Sequence, residues 1–289
     1  MKRSEKLRRE GMRFVRAVRR FGEEVLALRF DGSFEKFSPE HPTANWLYVV
    51  RADRLESALR SGATFKFSWD GEKARRWRRY HASRGRHTYL YSAEAHGGSN
   101  CPVTPSLLAA GRARCCYVVL HEGWHSTLRL EGVRMPYALE EATGRVVGVY
   151  GASLFAESVA DAGLLRETRA QRKAWAAFAR FVNAACRRLQ RLYARDATRR
   201  EREAEFQRLR AEAAALRGRM PASWEREELS RPLNNAFFFR YRDYTLHYPL
   251  AVKVYRAAGS LREAMEAYRR AGREGALSML GRIARSAGA

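Results

Sequence analysis

The pentapeptide His121-Glu-Gly-Trp-His125 constrains this chain more than any other stretch of its 289 residues. On an α-helix, residues four apart share a face, so His121 and His125 can aim both imidazoles at one metal ion. Glu122 follows the first of them and can reach a water on that ion, where a general base must sit. The chemistry requires a helix, and the flanks agree. Tyr117, Val118, Val119 and Leu120 lead in, and Leu128 and Leu130 carry the apolar pattern onward. Leucine is the ordinary occupant of buried helical positions, so two histidines there need either an ion or hydrogen-bond partners.

A hydrolytic zinc site keeps three protein ligands and an open position for water. Position 131 holds Glu131 and no G-x-x-H follows His125, so the third ligand is not a histidine of the same segment. A carboxylate from the next helix is the alternative. Glu131-Gly132 and Pro136 mark a turn, and a second helix opens near Tyr137, with Leu139, Val146, Val147, Tyr150, Leu154 and Phe155 on its apolar side. Glu140 and Glu141 stand side by side in that apolar stretch. Burying one is costly unless a cation lies beside it, whereas at a helix N-terminus both would complement the dipole. The residues alone leave the choice between them open.

Composition bounds the partners. The net charge of +24 invites a nucleic-acid reading, yet only Lys2, Lys6, Lys36, Lys66, Lys73, Lys173 and Lys253 are lysines, and the arginines are scattered along most helices. A GC-rich genome produces that bias without a selected partner, so at most weak, salt-dependent binding to nucleic acid is expected. Arg75-Arg-Trp-Arg-Arg-Tyr-His81 interleaves cations with aromatics as single-strand binders do. Trp77 and Tyr80 share a helix face, however, which makes them core anchors with arginines outside. His81, His87 and His96 lack metal-ligand spacing. Cys101, Cys115, Cys116 and Cys186 form no CxxC pair and read as buried free thiols. No apolar run is long enough to span a membrane.

In order, the front third alternates short elements: a helix over 4–28 with Leu7, Met12, Val15, Val18, Phe21 and Val25 inward, strands over 45–50, 64–69 and 87–92, and helices over 54–60 and 72–84. Residues 97–102 form a loop leading to the motif helix. Beyond the metal-site segment, 168–217 is helical with a break near Asp196, 219–231 is loop-like, and 249–272 is a strong amphipathic helix before a small-residue tail.

These motifs together resemble the bacterial predicted zinc-dependent aminopeptidases, metallopeptidases of the HExxH gluzincin-like kind. That family carries H-E-L-A-H, a short linker and F-N-E-S-F-A-x-x-V-x-x-x-G. Here the corresponding run is His121 to His125, a linker, and Leu139-Glu-Glu-Ala-Thr-Gly-Arg-Val-Val-Gly-Val-Tyr-Gly151. The family's A-Y-S-T is similar to Leu90-Tyr-Ser-Ala93, its L-N-N-A to Leu233-Asn-Asn-Ala236, and its later Y and P to Tyr244 and Pro249. A closing A-G-x-L between two helices is similar to Ala258-Gly-Ser-Leu261. The chain departs from the family where Glu140 replaces Asn, Ala142-Thr143 replaces Ser-Phe, and Gly123-Trp124 fills the motif.

The resemblance implies an α+β, predominantly helical, zincin-like metallopeptidase with a small sheet in the N-terminal third. It implies one domain over 1–289, with a mixed α/β lobe over 1–100 and a helical lobe over 101–289 holding the metal. It makes Glu141 the third Zn2+ ligand beside His121 and His125, with Arg145 one turn on to steady its carboxylate. Glu122 becomes the catalytic base and Tyr244 the oxyanion donor. The substrate is a peptide, cleaved as by an aminopeptidase. Members of the family often look exported, but Met1 to Arg20 lacks an apolar signal core and a lipobox-like cysteine, so a cytoplasmic place is expected. Arginine gathered on one face would instead indicate a nucleic-acid-binding protein. Glu140 and Glu141 both turned away from the histidines would indicate an inactive zincin kept as a binding scaffold.

Overall fold

The computed structural model describes residues 2–39, 44–55, 64–93, 100–274 and 277–286. Its elements are α1 (Lys2–Glu24), β1 (Ala44–Val50), β2 (Thr64–Ser68), α2 (Gly71–Ala82), β3 (His87–Ala93), α3 (Pro105–Ala109), α4 (Arg112–Leu130), α5 (Tyr137–Ser158), α6 (Ala162–Ala194), α7 (Arg199–Arg219), α8 (Trp224–Glu228), α9 (Asn235–Thr245), α10 (Tyr248–Ala258), α11 (Leu261–Glu274) and α12 (Leu277–Ser286). The fold is mostly helical with a small sheet towards the N-terminus. The chain gathers into two compact units: Met1–His41, Glu94–Arg172 and His247–Ala289 form one, Pro42–Ala93 and Lys173–Leu246 the other, so α6 belongs to both.

In the first unit, the three- and four-residue apolar spacing of α1 buries Met12, Val15, Val18 and Phe21. Phe14 and Phe21 meet Phe155 of α5 edge-on, with centroids 5.8 and 5.5 Å apart. The tightest packing is between α4 and α5. Gly144, Gly148 and Gly151 of α5 recur at four- and three-residue steps and let the helices close. A Cβ on Gly148 would stand 2.6 Å from Cδ2 of Tyr117 and 3.0 Å from that residue's carbonyl oxygen. One on Gly151 would stand 2.9 Å from Leu120 Cδ1.

In the second unit, β1 lies between β2 and β3, all antiparallel, with Trp46 opposite Phe67 and Tyr91. Helix α9 packs on β1 and β3, and α2 packs on the three strands. A helix distant in sequence thus covers the sheet, which is why this unit is not a contiguous N-terminal lobe. The Leu-Asn-Asn-Ala stretch proves structural. Asn234 caps α9 by accepting from the backbone N–H groups of Ala236 and Phe237. The Asn235 amide donates to the carbonyls of Arg51, Ala52 and Arg54 at 3.0, 3.2 and 2.8 Å.

Several elements differ from expectation. Helix α1 ends at Glu24, leaving Val25 exposed, and Leu26 and Leu28 take the buried places. Leu130 is exposed at the last turn of α4. Ala74 alone is fully buried on α2, and Tyr80 is 52% exposed with the Arg84 guanidinium 3.7 Å from its ring centroid, so it is no core anchor. The 219–231 connection contains α8, whose Glu225 and Glu228 are buried. The last amphipathic stretch is two helices broken at Gly259, whose φ of 82° favours glycine, and the tail forms α12. The helix expected over 54–60 lies outside the described residues beyond Leu55, as do His96 and residues 97–99 of the expected loop. All four cysteines are buried.

The glycine-mediated approach predicts that Gly148→Ala lowers unfolding stability by about 1–3 kcal/mol, because the carbonyl it meets cannot swing aside. Gly218→Ala, on α7 with nothing within 4 Å of its would-be Cβ, should be neutral or stabilising by up to about 1 kcal/mol. Urea midpoints of the two variants should separate accordingly. Equal midpoints would contradict the close α4–α5 contact.

Candidate metal centre

Tyr117, His121 and His125 recur every four residues, so α4 turns all three rings to one side. The helix starts from Gly111, whose φ of 91° is glycine territory. Glu141 arrives from the start of α5. Its Oε2 lies 3.4 Å from Nε2 of His121 and 3.7 Å from Nε2 of His125, and the two Nε2 atoms are 3.3 Å apart. The imidazoles stand nearly perpendicular at 87°. Among the described residues, His121, His125 and Glu141 are the one group of at least three such side chains placed to share a metal ion.

Glu140 and Glu141 divide the work. Glu140 does not join the three donors. Its Oε1 lies 2.6 Å from Nδ1 of His125, so that ring is held on the side away from Glu141. Burial disfavours a charged His125, but the hydrogen bond its Nδ1 donates to Glu140 and the nearby charges of Glu141 and Glu122 outweigh it and hold the imidazole well above its ordinary pKa. Burial likewise pushes the Glu141 carboxyl up, and the two histidines override it, holding the carboxyl well below the usual range. This buried carboxylate is stabilised by positive charge, whether borne by protons on nitrogen or by a cation. Glu122 follows His121 with its Oε2 buried and without a hydrogen-bond partner among the described residues. Such an orphan calls for an explanation, and a catalytic role is one.

Residues of α4, α5 and the turn beyond α1 pack around these side chains. Gly123 leaves room for Phe30, whose ring would stand 2.7 Å from a Cβ there. Trp124 is fully buried, and its indole N–H donates to Thr143 Oγ1 at 3.0 Å, tying α4 to α5. Asp31, in the turn beyond α1, accepts from Ser126 at 3.2 Å and pairs with Arg129, fastening that turn to α4 just past His125. Arg145, expected to steady the Glu141 carboxylate, stands over the Tyr117 ring. Its guanidinium carbon lies 4.4 Å from the Tyr117 ring centroid, and the Tyr117 ring stacks on His121.

Tyr244 is the expected oxyanion donor. It lies on α9 in the other unit, with the Arg240 guanidinium 4.1 Å from its ring centroid. Three contributors escaped the sequence reading: the bond from Glu140 to His125, the Tyr117 stack and Asp31. The four-residue step from Tyr117 to His121 could have exposed the stack. Nothing local could have exposed Asp31, which is 95 residues from Ser126.

Exposed arginines occur on α1, α2 and α7, in both units. Among the described residues no helix is long and apolar enough to cross a membrane. A family model described as "Putative aminopeptidase" matches residues 2–278. No curated protein and no solved structure matches the chain.

The Asp31 contact yields a pH signature. Burial raises the Asp31 carboxyl, but Ser33, Arg129 and Ser126 outweigh it, so its folded pKa is depressed. A depressed carboxyl contributes stability above its unfolded pKa of about 3.9, and that stability is lost as pH falls through the folded value. Asp31→Asn should therefore be less stable than wild type by about 1 kcal/mol at neutral pH. The gap should close as acid unfolding curves approach and pass below pH about 4. A gap that persists unchanged in acid would contradict the assignment.

Proposed function

Because the chain belongs to the family described as putative aminopeptidases, its model matching residues 2–278, we propose that it is a zinc-dependent aminopeptidase whose ion is held by His121, His125 and Glu141. One observation carries this reading. The three donor atoms form a triangle with edges of 3.3, 3.4 and 3.7 Å. Donors about 2.0–2.2 Å from a tetrahedral zinc would stand roughly 3.3–3.6 Å apart. Two neutral imidazoles and one carboxylate, with a fourth position left open, are the donor set of hydrolytic rather than structural zinc. When bound, the ion supplies a Lewis acid that polarises the scissile carbonyl and lowers the pKa of a water towards about 7.

The chain's own residues supply the rest. Glu122 projects about 100° around α4 from His121, so it does not compete for the ion. Its Oε2, without a partner among the described residues, takes the proton of the attacking water and passes it to the nitrogen of the departing amine. Glu140 fixes the His125 ring through Nδ1, so that Nε2 faces Glu141. All of these residues belong to the first unit. The contact of Glu141 with both histidines speaks against an inactive scaffold. The restriction to the amino end of a peptide rests on the family alone.

Glu122→Gln tests the reading directly. Glutamine keeps size and hydrogen-bonding capacity but cannot accept the proton. Release of amino acids from short unblocked peptides should fall by about 10²–10⁴-fold at equal metal loading, with the fold unchanged by circular dichroism. Equal rates for the two proteins would remove Glu122 from the mechanism.

A further inference from the structure

The two histidines are held by different means. His125 has Glu140 on its Nδ1, the usual arrangement for a metal-ligating imidazole, whose second nitrogen donates to a carboxylate, carbonyl or water. His121 has no such partner: its Nδ1 is buried without a hydrogen bond among the described residues. What surrounds that ring is packing. Tyr117, one turn earlier on α4, lies nearly parallel to it, with centroids 5.2 Å apart and planes 28° apart. On another side is the bare backbone of α5. A Cβ on Gly144 would stand 3.0 Å from Nδ1 and 3.1 Å from Cε1 of His121, and 3.3 Å from Trp124 Cδ1. Tyr117 is itself seated, its ring against Gly148 one turn along α5. The guanidinium carbons of Arg145 and Arg114 lie 4.4 and 4.9 Å from its centroid, within cation–π range.

We propose that Tyr117 and Gly144 are positioning residues that hold the His121 imidazole between an aromatic face and the α5 backbone, aiming Nε2 at Glu141 without a hydrogen bond on Nδ1. This rests on the reading of His121 as a metal ligand. Two consequences follow. The ring of Tyr117 matters and its hydroxyl does not, because stacking uses the face. Gly144 must stay without a side chain, because a methyl would push the imidazole by a few tenths of an ångström, and three ligands on one small ion tolerate little misplacement.

The test uses Tyr117→Phe, Tyr117→Leu and Gly144→Ala in the full chain. Zn2+ affinity is measured by chelator competition, and the visible spectrum of the Co2+-loaded protein reports ligand geometry. Tyr117→Phe should match wild type within about twofold. Tyr117→Leu and Gly144→Ala should bind about 10–100-fold more weakly and shift the Co2+ bands. A folded Tyr117→Leu that matches Tyr117→Phe in both readings overturns the proposal. If Tyr117→Leu does not fold, Gly144→Ala decides alone, and wild-type affinity and spectrum in it overturn the proposal. If wild type takes up no stoichiometric metal, the metal reading fails, and histidine-ring NMR of the metal-free protein still decides. A single fixed His121 ring in wild type and Tyr117→Phe, lost in Gly144→Ala, supports the packing role. A ring that already averages in wild type overturns it.

Discussion

Two helices can bring an imidazole and a carboxylate together only if their backbones approach closely, and at the α4–α5 crossing glycine makes that approach possible. Gly144, Gly148 and Gly151 receive His121 and Trp124, Tyr117, and Leu120 respectively. Side chains of ordinary size there would hold the helices apart and carry Glu141 away from both histidines. The rest of the first unit reinforces the contact. Trp124 bonds to Thr143 across it, Phe155 of α5 receives Phe14 and Phe21 of α1, and Glu131 at the end of α4 pairs with Arg269 and Arg273 of α11.

The electrostatics follow from the packing. Once α4 and α5 close, Glu141 is buried against two imidazoles, with Glu140 and Glu122 nearby. Three carboxylates crowd negative charge beside the two histidines at the donor triangle, while the guanidinium groups of Arg145 and Arg114 lie on the far side, against Tyr117. A divalent cation at the donor triangle would relieve that crowding and free the imidazole nitrogens from carrying protons. The arrangement that strains the charge balance of the bare cluster is the one that fits a metal.

Much of this was legible in the sequence because it is local. The helical step from His121 to His125, the turn at Gly132 and the acids opening α5 lie within about six turns of helix, and spacing alone relates them. The division of labour between Glu140 and Glu141 was not legible from the residues, since two adjacent acids differ in direction by only about 100° and only the helix crossing decides which points inward. Trp124 and Thr143, two of the departures from the family pattern, form a single hydrogen bond that sequence order conceals. Tyr80 departs from its expected place as a core anchor for a related reason. Helical spacing shows that Trp77 and Tyr80 lie on neighbouring sides of α2, but not how wide a face the sheet covers, and that face is narrow enough to leave Tyr80 exposed. The second unit was illegible as a unit because its sheet is covered by α9, far away in the chain.

The central claim is that the donor triangle binds zinc through Glu141, with Glu140 acting on His125 from behind. Elemental analysis of the purified chain grown with ample zinc, beside Glu141→Ala and Glu140→Ala, tests it most directly. One zinc per chain is expected in wild type, none retained by Glu141→Ala, and zinc still bound but held about 10–100-fold more weakly by Glu140→Ala. Wild type without stoichiometric metal, or zinc lost from Glu140→Ala and kept by Glu141→Ala, would contradict it.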